Sequence, residues 1–175
     1  VIYPTNPYGD LNFIAIMKYQ LSAKDQNNHS LFNDNSFIQK VLKKIPLENK
    51  KFLDNLKKLK IFPVFISENF YKIPNNNIHL IGDAFFAFPP SFAQGASQSI
   101  ESAYELFKSI ENNSENNFFA NRLKKTKKVN FRSKFNQFAF HLSNPLTKFI
   151  RNIFLKRLVK NKKFLESYLG KVYRN

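Results

Sequence analysis

The stretch LIGDAFFAFPPSFAQGASQSIESAYELF, residues 80 to 107, most restricts the folds open to this chain. Residues 82 to 103 hold two of the four glycines and two of the eight prolines. Small residues let a ligand approach the main chain closely. The prolines exclude a regular helix up to about Phe92, whereas helical spacing begins at Gly95. The predicted order is therefore a strand that runs into Gly82, a proline loop and a helix.

This order of elements places main-chain groups where a ligand can lie against them. Asp83, at the end of the predicted strand, can accept hydrogen bonds from ligand hydroxyl groups. The first helical turn, Gly95 to Ser97, offers N–H groups without intrahelical acceptors and the positive end of the helix dipole. An acceptor atom or an anion is expected there. The alternative interpretation is that Asp83 caps its own turn.

The same stretch resembles the second FAD-binding motif of the flavin-dependent aromatic hydroxylases, the family typified by p-hydroxybenzoate hydroxylase and salicylate hydroxylase. That motif reads roughly L-x-G-D-A-A-H, then P, then Q-G-x-N, then a helix with D-A. Phe85 and Phe86 stand where the motif has Ala-His, Ser97 where it has Asn, and Ser102 where it has Asp. The matching residues are Leu80, Gly82, Asp83, Ala84, Pro90, Gln94, Gly95 and Ala103.

The resemblance implies an FAD-dependent monooxygenase that hydroxylates an aromatic or similar cyclic substrate with NAD(P)H and O₂. It implies that Asp83 holds the ribityl chain of FAD, that Pro90 lines the flavin face, and that the helix amino end meets the pyrimidine edge. It marks no catalytic residue and no metal ligand. These roles require an open main chain over residues 82 to 97. The implied cofactor-binding residues are Gly82, Asp83, Ala84, Pro90, Gln94, Gly95, Ala96 and Ser97.

The adenosine half of FAD is usually bound by a G-x-G-x-x-G turn after a first strand. None of the 175 residues supplies that turn. We therefore expect two partners: an aromatic small-molecule substrate, and a missing N-terminal portion of the same protein that carries the turn. The chain is then the C-terminal portion of such an enzyme and inactive alone.

The predicted fold class is α/β, or α+β for a fragment. It comprises a partial FAD/NAD(P)-binding fold, remnants of a β-sheet substrate domain, and a helical C-terminus. Three regions are expected: the latter part of the substrate-binding sheet domain over residues 1–77, the closing segment of the FAD-binding domain over 78–110, and a basic helical region over 111–175.

Local patterns predict the individual elements. Two β-rich runs on either side of TNPYGD, residues 5 to 10, predict a hairpin. Asn35 or Ser36 is expected to cap a helix that runs through Leu42. The remaining predictions are a helix over 48–59, strands over 61–66 and 78–81, and helices from 118 onward.

The charge is concentrated at the end of the chain. Residues 1–120 carry 12 basic and 11 acidic residues, whereas residues 121–175 carry 16 basic residues and Glu166 alone. Three interpretations stay open: a solvated helical face, a surface that touches anionic lipid, and a nucleic-acid surface. No recognition motif accompanies the last, and nucleic acid is not a predicted partner.

Composition excludes several classes of protein. The absence of cysteine excludes disulfides, thiolate zinc sites and a cysteine nucleophile, and the three histidines are scattered. No apolar run approaches the roughly 18 to 20 residues that span a bilayer. The expected location is cytoplasmic, with a membrane-peripheral location as the alternative. The second functional hypothesis is a noncatalytic or membrane-peripheral module with a degenerate flavin site and a basic amphipathic tail.

Overall fold

A computed structural model describes residues 1–44, 59–74 and 78–170. The chain divides into two compact units, Val1–Pro63 and Val64–Asn175. Over the described residues it is mostly helical, with one two-stranded antiparallel sheet. This content is compatible with a mixed or helical fragment, and the partial FAD/NAD(P)-binding fold stays a prediction.

The first unit begins with the predicted hairpin, which the structure confirms. Strands β1 (Ile2–Pro4) and β2 (Leu11–Phe13) are antiparallel. The Asn6 amide oxygen accepts the N–H of Tyr8 at 3.0 Å, and Gly9 adopts φ +92°, which favours glycine. The opposed residues are Ile2 and Phe13, Tyr3 and Asn12, and Pro4 and Leu11.

Helix α1 (Ala23–Gln26) and a 3₁₀ turn (His29–Asn33) lead to helix α2 (Asn35–Leu42). The predicted cap residue is wrong by one or two positions, because Asp34 caps α2 and accepts the N–H of Ser36 at 2.7 Å. Hydrogen bonds from the Ser36 side chain and then from its amide lower the pKa of Asp34. The helix predicted over 48–59 lies, except for its last residue, outside the described part of the chain.

The core of this unit is a cluster of Phe32, Phe37 and Val41. The Phe37 ring meets Phe32 and Tyr19 edge to face, with centroids 6.0 and 5.6 Å apart. Such pairs add about 0.5–1.5 kcal/mol to the burial of the rings themselves. The helix predicted through Leu42 is therefore confirmed, and Phe37 and Val41 lie on its buried side.

The strands predicted over 61–66 and 78–81 are wrong, because both segments are irregular in the structure. Pro63 has no N–H to donate to a ladder. Nearby, Ser67 and Ala87 exchange two bonds: the Ser67 N–H reaches the Ala87 carbonyl, and the Ala87 N–H reaches Ser67 Oγ, both at 2.9 Å. A pair of bonds of this kind joins two segments without forming a sheet.

The second unit is built from helices, which confirms the helical prediction for its end. The elements are α3 (Gly82–Phe85), a 3₁₀ turn (Pro90–Phe92), α4 (Gly95–Glu111), α5 (Glu115–Phe140), α6 (Pro145–Leu158), α7 (Lys162–Leu165) and a π-helical turn (Glu166–Gly170). Helix α4 packs against α3 and α5, and the 3₁₀ turn at Pro90–Phe92 packs against α5.

Aromatic rings fill the interior of this unit. Phe86 is fully buried and stacks on Phe70 with centroids 4.4 Å apart. A second cluster joins Phe92 and Val129 to the partly buried Tyr168. The predicted regions 78–110 and 111–175 lie within this one unit, and their separate functional assignments stay predictions. None of the helices in the described ranges is long and apolar enough to cross a bilayer.

Candidate functional site

Gly82 begins the one-turn helix α3 in a conformation that requires glycine. Its φ is +58°, a region that residues with a β-carbon rarely adopt. A β-carbon at this position would lie 2.7 Å from Ser99 Oγ and 3.2 Å from Ser99 Cβ. The sequence predicted that a ligand approaches the main chain at Gly82, whereas the space beside its α-carbon is occupied by Ser99 of α4.

A serine hydroxyl holds this turn against α4. Ser102 Oγ accepts the Gly82 N–H at 3.1 Å and donates to the Ser99 carbonyl at 2.9 Å. Ser102 is fully buried. This serine, which stands where the hydroxylase motif has Asp, therefore joins the turn to the helix.

Asp83 and Ala84 follow on the exposed side of the turn. Within the described ranges the Asp83 carboxylate accepts no hydrogen bond, so it does not cap its own turn. An exposed carboxylate with free lone pairs can accept two or more hydrogen bonds from a polyhydroxylated ligand.

Phe85 and Phe86, the largest departures from the motif, lie in the interior. Phe85 packs edge to face against Phe119 at 5.8 Å, and Phe86 lies between Phe70 and Phe88. The two rings therefore contribute to the aromatic interior, while Asp83 and Ala84 on the same turn remain exposed.

The chain then passes through the proline loop to α4. Pro89 is buried and Pro90 is exposed at the start of the 3₁₀ turn. Ala93 adopts φ 51° and ψ 36°, a left-handed conformation that costs a residue with a β-carbon about 1–2 kcal/mol. Strain of this size is retained where the surrounding structure fixes the backbone, and here it directs the chain into α4.

The amino end of α4 is accessible. No side chain caps it, and its first turn carries no acidic residue. Ala96 is exposed, Gly95 and Ser97 are partly exposed, and a β-carbon at Gly95 would meet nothing within 4 Å. Gln94, which precedes the helix, is buried. Main-chain donors at this end can therefore be reached by an acceptor or an anion.

The structure brings some of the predicted residues together. Gly82 lies against Ser99, one turn beyond Gly95 on α4, so the Asp83 turn and the α4 amino end belong to one packed assembly. Pro90 lies in the 3₁₀ turn that packs on α5. A small cavity of about 40 Å³ beside Phe85 is much smaller than a flavin ring.

A network of ionic side chains joins α4 to α5, and sequence reasoning missed it. Arg122 of α5 is only 2% exposed and donates to the Gln98 carbonyl at 2.7 Å and to Gln98 Oε1 at 2.8 Å. It also contacts Glu105 at 3.2 Å and Glu101 at 3.5 Å, and both carboxylates contact Lys125. The only sequence signal was the spacing of Gln98, Glu101 and Glu105 along one helix face.

Comparisons with family models, with curated proteins and with solved structures find no match for this chain.

Proposed function

We propose that this chain is the C-terminal part of an FAD-dependent monooxygenase that hydroxylates an aromatic or similar cyclic substrate with NAD(P)H and O₂. One observation carries the proposal. The Gly82 turn is fixed against α4 by Ser102, and it leaves both the Asp83 carboxylate and the α4 amino end accessible. These are the two main contacts that the resemblance implies for a flavin and its ribityl chain.

The chemistry of the two groups fits the two ends of a flavin. The Asp83 carboxylate accepts hydrogen bonds from ribityl hydroxyls, which are donors. The α4 amino end stabilises negative charge, which develops at the pyrimidine edge when a flavin is reduced. When bound, the flavin supplies the electron transfer and oxygen activation. The chain's own residues bind it and orient it.

An exposed apolar face of helix α4 supports the proposal of a further segment. Ile100, Tyr104, Phe107 and Ile110 are exposed along one face of α4. An exposed apolar stripe on a helix usually marks a surface that another element covers. In this proposal the covering element is the portion of the enzyme that carries the G-x-G-x-x-G turn for the adenosine half of FAD.

The first test compares two flavins that differ only in the stem. Riboflavin carries the ribityl chain, and lumiflavin has a methyl group in its place. We expect the chain to bind both weakly, and we expect Asp83→Asn to weaken riboflavin binding by about tenfold or more, because charged hydrogen bonds contribute about 1.5–3 kcal/mol. The lumiflavin affinity should not change. Flavin fluorescence titration measures both.

Glu68→Gln is the matched control, because Glu68 is another exposed carboxylate of the same unit. It should leave both affinities unchanged. Equal losses of riboflavin and lumiflavin binding in Asp83→Asn, or no loss of either, would contradict the assigned role. The chain alone is expected to be purified without FAD, since half of the cofactor contacts are missing.

The second test addresses the reaction. The chain combined with the G-x-G-x-x-G segment should retain FAD and oxidise NAD(P)H in the presence of an aromatic substrate, with one hydroxylated product formed for each NAD(P)H consumed. Oxidation without hydroxylated product would contradict the monooxygenase proposal while leaving flavin binding intact.

A noncatalytic module with a degenerate flavin site is the second candidate. The observation that favours it is the replacement of the motif's Ala-His by Phe85 and Phe86, which removes a polar neighbour of the flavin and places both rings in the interior. The flavin titration separates the candidates, because a degenerate site would not distinguish riboflavin from lumiflavin at Asp83.

A further inference from the structure

Helix α5 exposes three large aromatic rings on the side that faces away from its buried residues. The buried positions are Phe118, Arg122, Thr126, Val129 and Ser133, whereas Phe131, Phe135 and Phe138 are 72%, 55% and 66% exposed. A surface helix usually turns its large apolar side chains inward and its polar ones outward, so these three exposed rings depart from the usual arrangement.

Lysines flank these three phenylalanines on the same side of the helix. At 3.6 residues per turn, the three rings lie within an arc of about 60°, with lysines at both edges of that arc. All six side chains are exposed. The Phe-Lys face, as we call this surface, consists of Lys127, Lys128, Phe131, Lys134, Phe135 and Phe138.

The lysines of this face have no acidic partner in the part of the chain that the structure describes. The nearest carboxylates on α4, Glu101 and Glu105, contact Arg122 and Lys125 on the opposite side of α5. From residue 116 to residue 165 the sequence contains no Asp or Glu. The Phe-Lys face therefore carries uncompensated positive charge around an apolar centre.

We propose that the Phe-Lys face binds the surface of an anionic lipid bilayer. The three rings would enter the boundary between headgroups and acyl chains, and the ammonium groups would contact lipid phosphates at that depth. The proposal is independent of the flavin site, because the face lies opposite the side of α5 that packs against α4.

The two other classes of partner fit less well. Two copies of the face brought together would oppose six ammonium groups without a carboxylate between them. A nucleic-acid backbone would satisfy the lysines, but it would leave the central rings in water unless bases stacked on them. A lipid surface satisfies the charge and the apolar centre together.

A single-tryptophan variant tests this insertion directly, since the protein contains no tryptophan. Phe135→Trp in the full chain should show a blue-shifted emission on vesicles of phosphatidylcholine with one third phosphatidylglycerol, and brominated lipids should quench it. Phosphatidylcholine alone should produce a much smaller change. Phe107→Trp, on the exposed face of α4, is the matched control and should report no insertion.

Vesicle co-sedimentation then separates the two contributions. Substitution of Lys127, Lys128 and Lys134 by Gln should lower binding by about fivefold for each lysine and remove the preference for anionic lipid. Substitution of the three phenylalanines by Ser should lower binding by at least about a hundredfold at every salt concentration. Substitution of Ile100, Tyr104 and Phe107 by Ser removes as many apolar side chains from α4 and should leave binding unchanged.

Three results would overturn the proposal. The first is the absence of a spectral shift for Phe135→Trp on anionic vesicles. The second is a concentration-dependent dimer that the Phe-to-Ser substitutions abolish while vesicle binding is absent. The third is tight binding of single-stranded RNA, lost in both sets of variants, by a chain that does not sediment with vesicles.

Discussion

Gly82→Ala should destabilise the second unit by about 1–3.5 kcal/mol. A residue with a β-carbon pays about 1–2 kcal/mol in the left-handed region, and the unfolded chain loses enough freedom to return about 0.4–1 kcal/mol. The new β-carbon would also displace Ser99 Oγ, which donates to the Gly95 carbonyl at 3.0 Å. Loss of that bond and the remaining contact with Ser99 Cβ add about 1–2 kcal/mol.

Urea unfolding followed by far-UV circular dichroism measures this change as a shift in the midpoint at constant slope. Gly95→Ala is the first control, since its β-carbon meets nothing within 4 Å. This variant should be more stable by about 0.4–1 kcal/mol, because only the freedom of the unfolded chain is reduced. Gly9→Ala is the second, because Gly9 has a positive φ and open space. Gly9→Ala should destabilise the first unit, to which Gly9 belongs, through its backbone conformation alone and without a steric contact.

Ser99→Ala supplies the test of the steric part. In the Ser99→Ala variant the hydroxyl is absent, so Gly82→Ala should lower the free energy of unfolding by about 1 kcal/mol less than it does in the original protein. A difference of this size is expected for two residues in contact. If Gly82→Ala and Gly95→Ala change stability equally, or if Ser99→Ala leaves the cost unchanged, the close approach of the turn to α4 is not what makes glycine necessary.

Two further predictions concern ionic groups. Arg122→Ala should destabilise the second unit by about 3 kcal/mol in the same urea assay, because it removes a buried guanidinium that donates twice to Gln98 and contacts Glu105. Lys108→Ala breaks an exposed pair with Glu111 and should change stability by less than about 0.5 kcal/mol. Similar losses in the two variants would contradict the structural role of the buried network. The lowered pKa of Asp34 means that the fold favours its ionised form, and this form stabilises α2 as its cap. The stabilisation is fully present at pH values above the ordinary pKa of 3.8. It is lost as the pH falls through the lower pKa of the folded state. Asp34→Asn keeps a capping oxygen that does not titrate. The helicity of this variant, measured by circular dichroism, should therefore not fall as the pH passes through the folded pKa of Asp34. A parallel decline of helicity in the variant and the original protein would contradict the role of Asp34.

Elements with strong local signals could be predicted from the sequence. The TNPYGD turn fixes the hairpin, and the 3.6-residue pattern after Gly95 fixes α4, since both depend on neighbours in the chain. The strands over 61–66 and 78–81 could not be decided in this way. A strand forms only when a partner supplies its ladder, and apolar runs of this length also occur in irregular segments. Phe62, Phe65 and Ile78 of these segments are exposed.

The cluster of small residues marked Gly82 as a position without room for a side chain, and the structure shows that Ser99 occupies the adjoining space. A ligand at this position stays a prediction. The Arg122 network was not predictable, because it joins residues about 20 positions apart whose contact depends on how α4 and α5 pack.

Ser102 Oγ accepts the amide of one segment and donates to a carbonyl of the other. The Gly82 amide proton can therefore exchange with solvent deuterium only when the turn separates from α4. The exchange rate of this one amide therefore measures how often the segment over residues 82 to 97 opens, and the measurement needs no ligand.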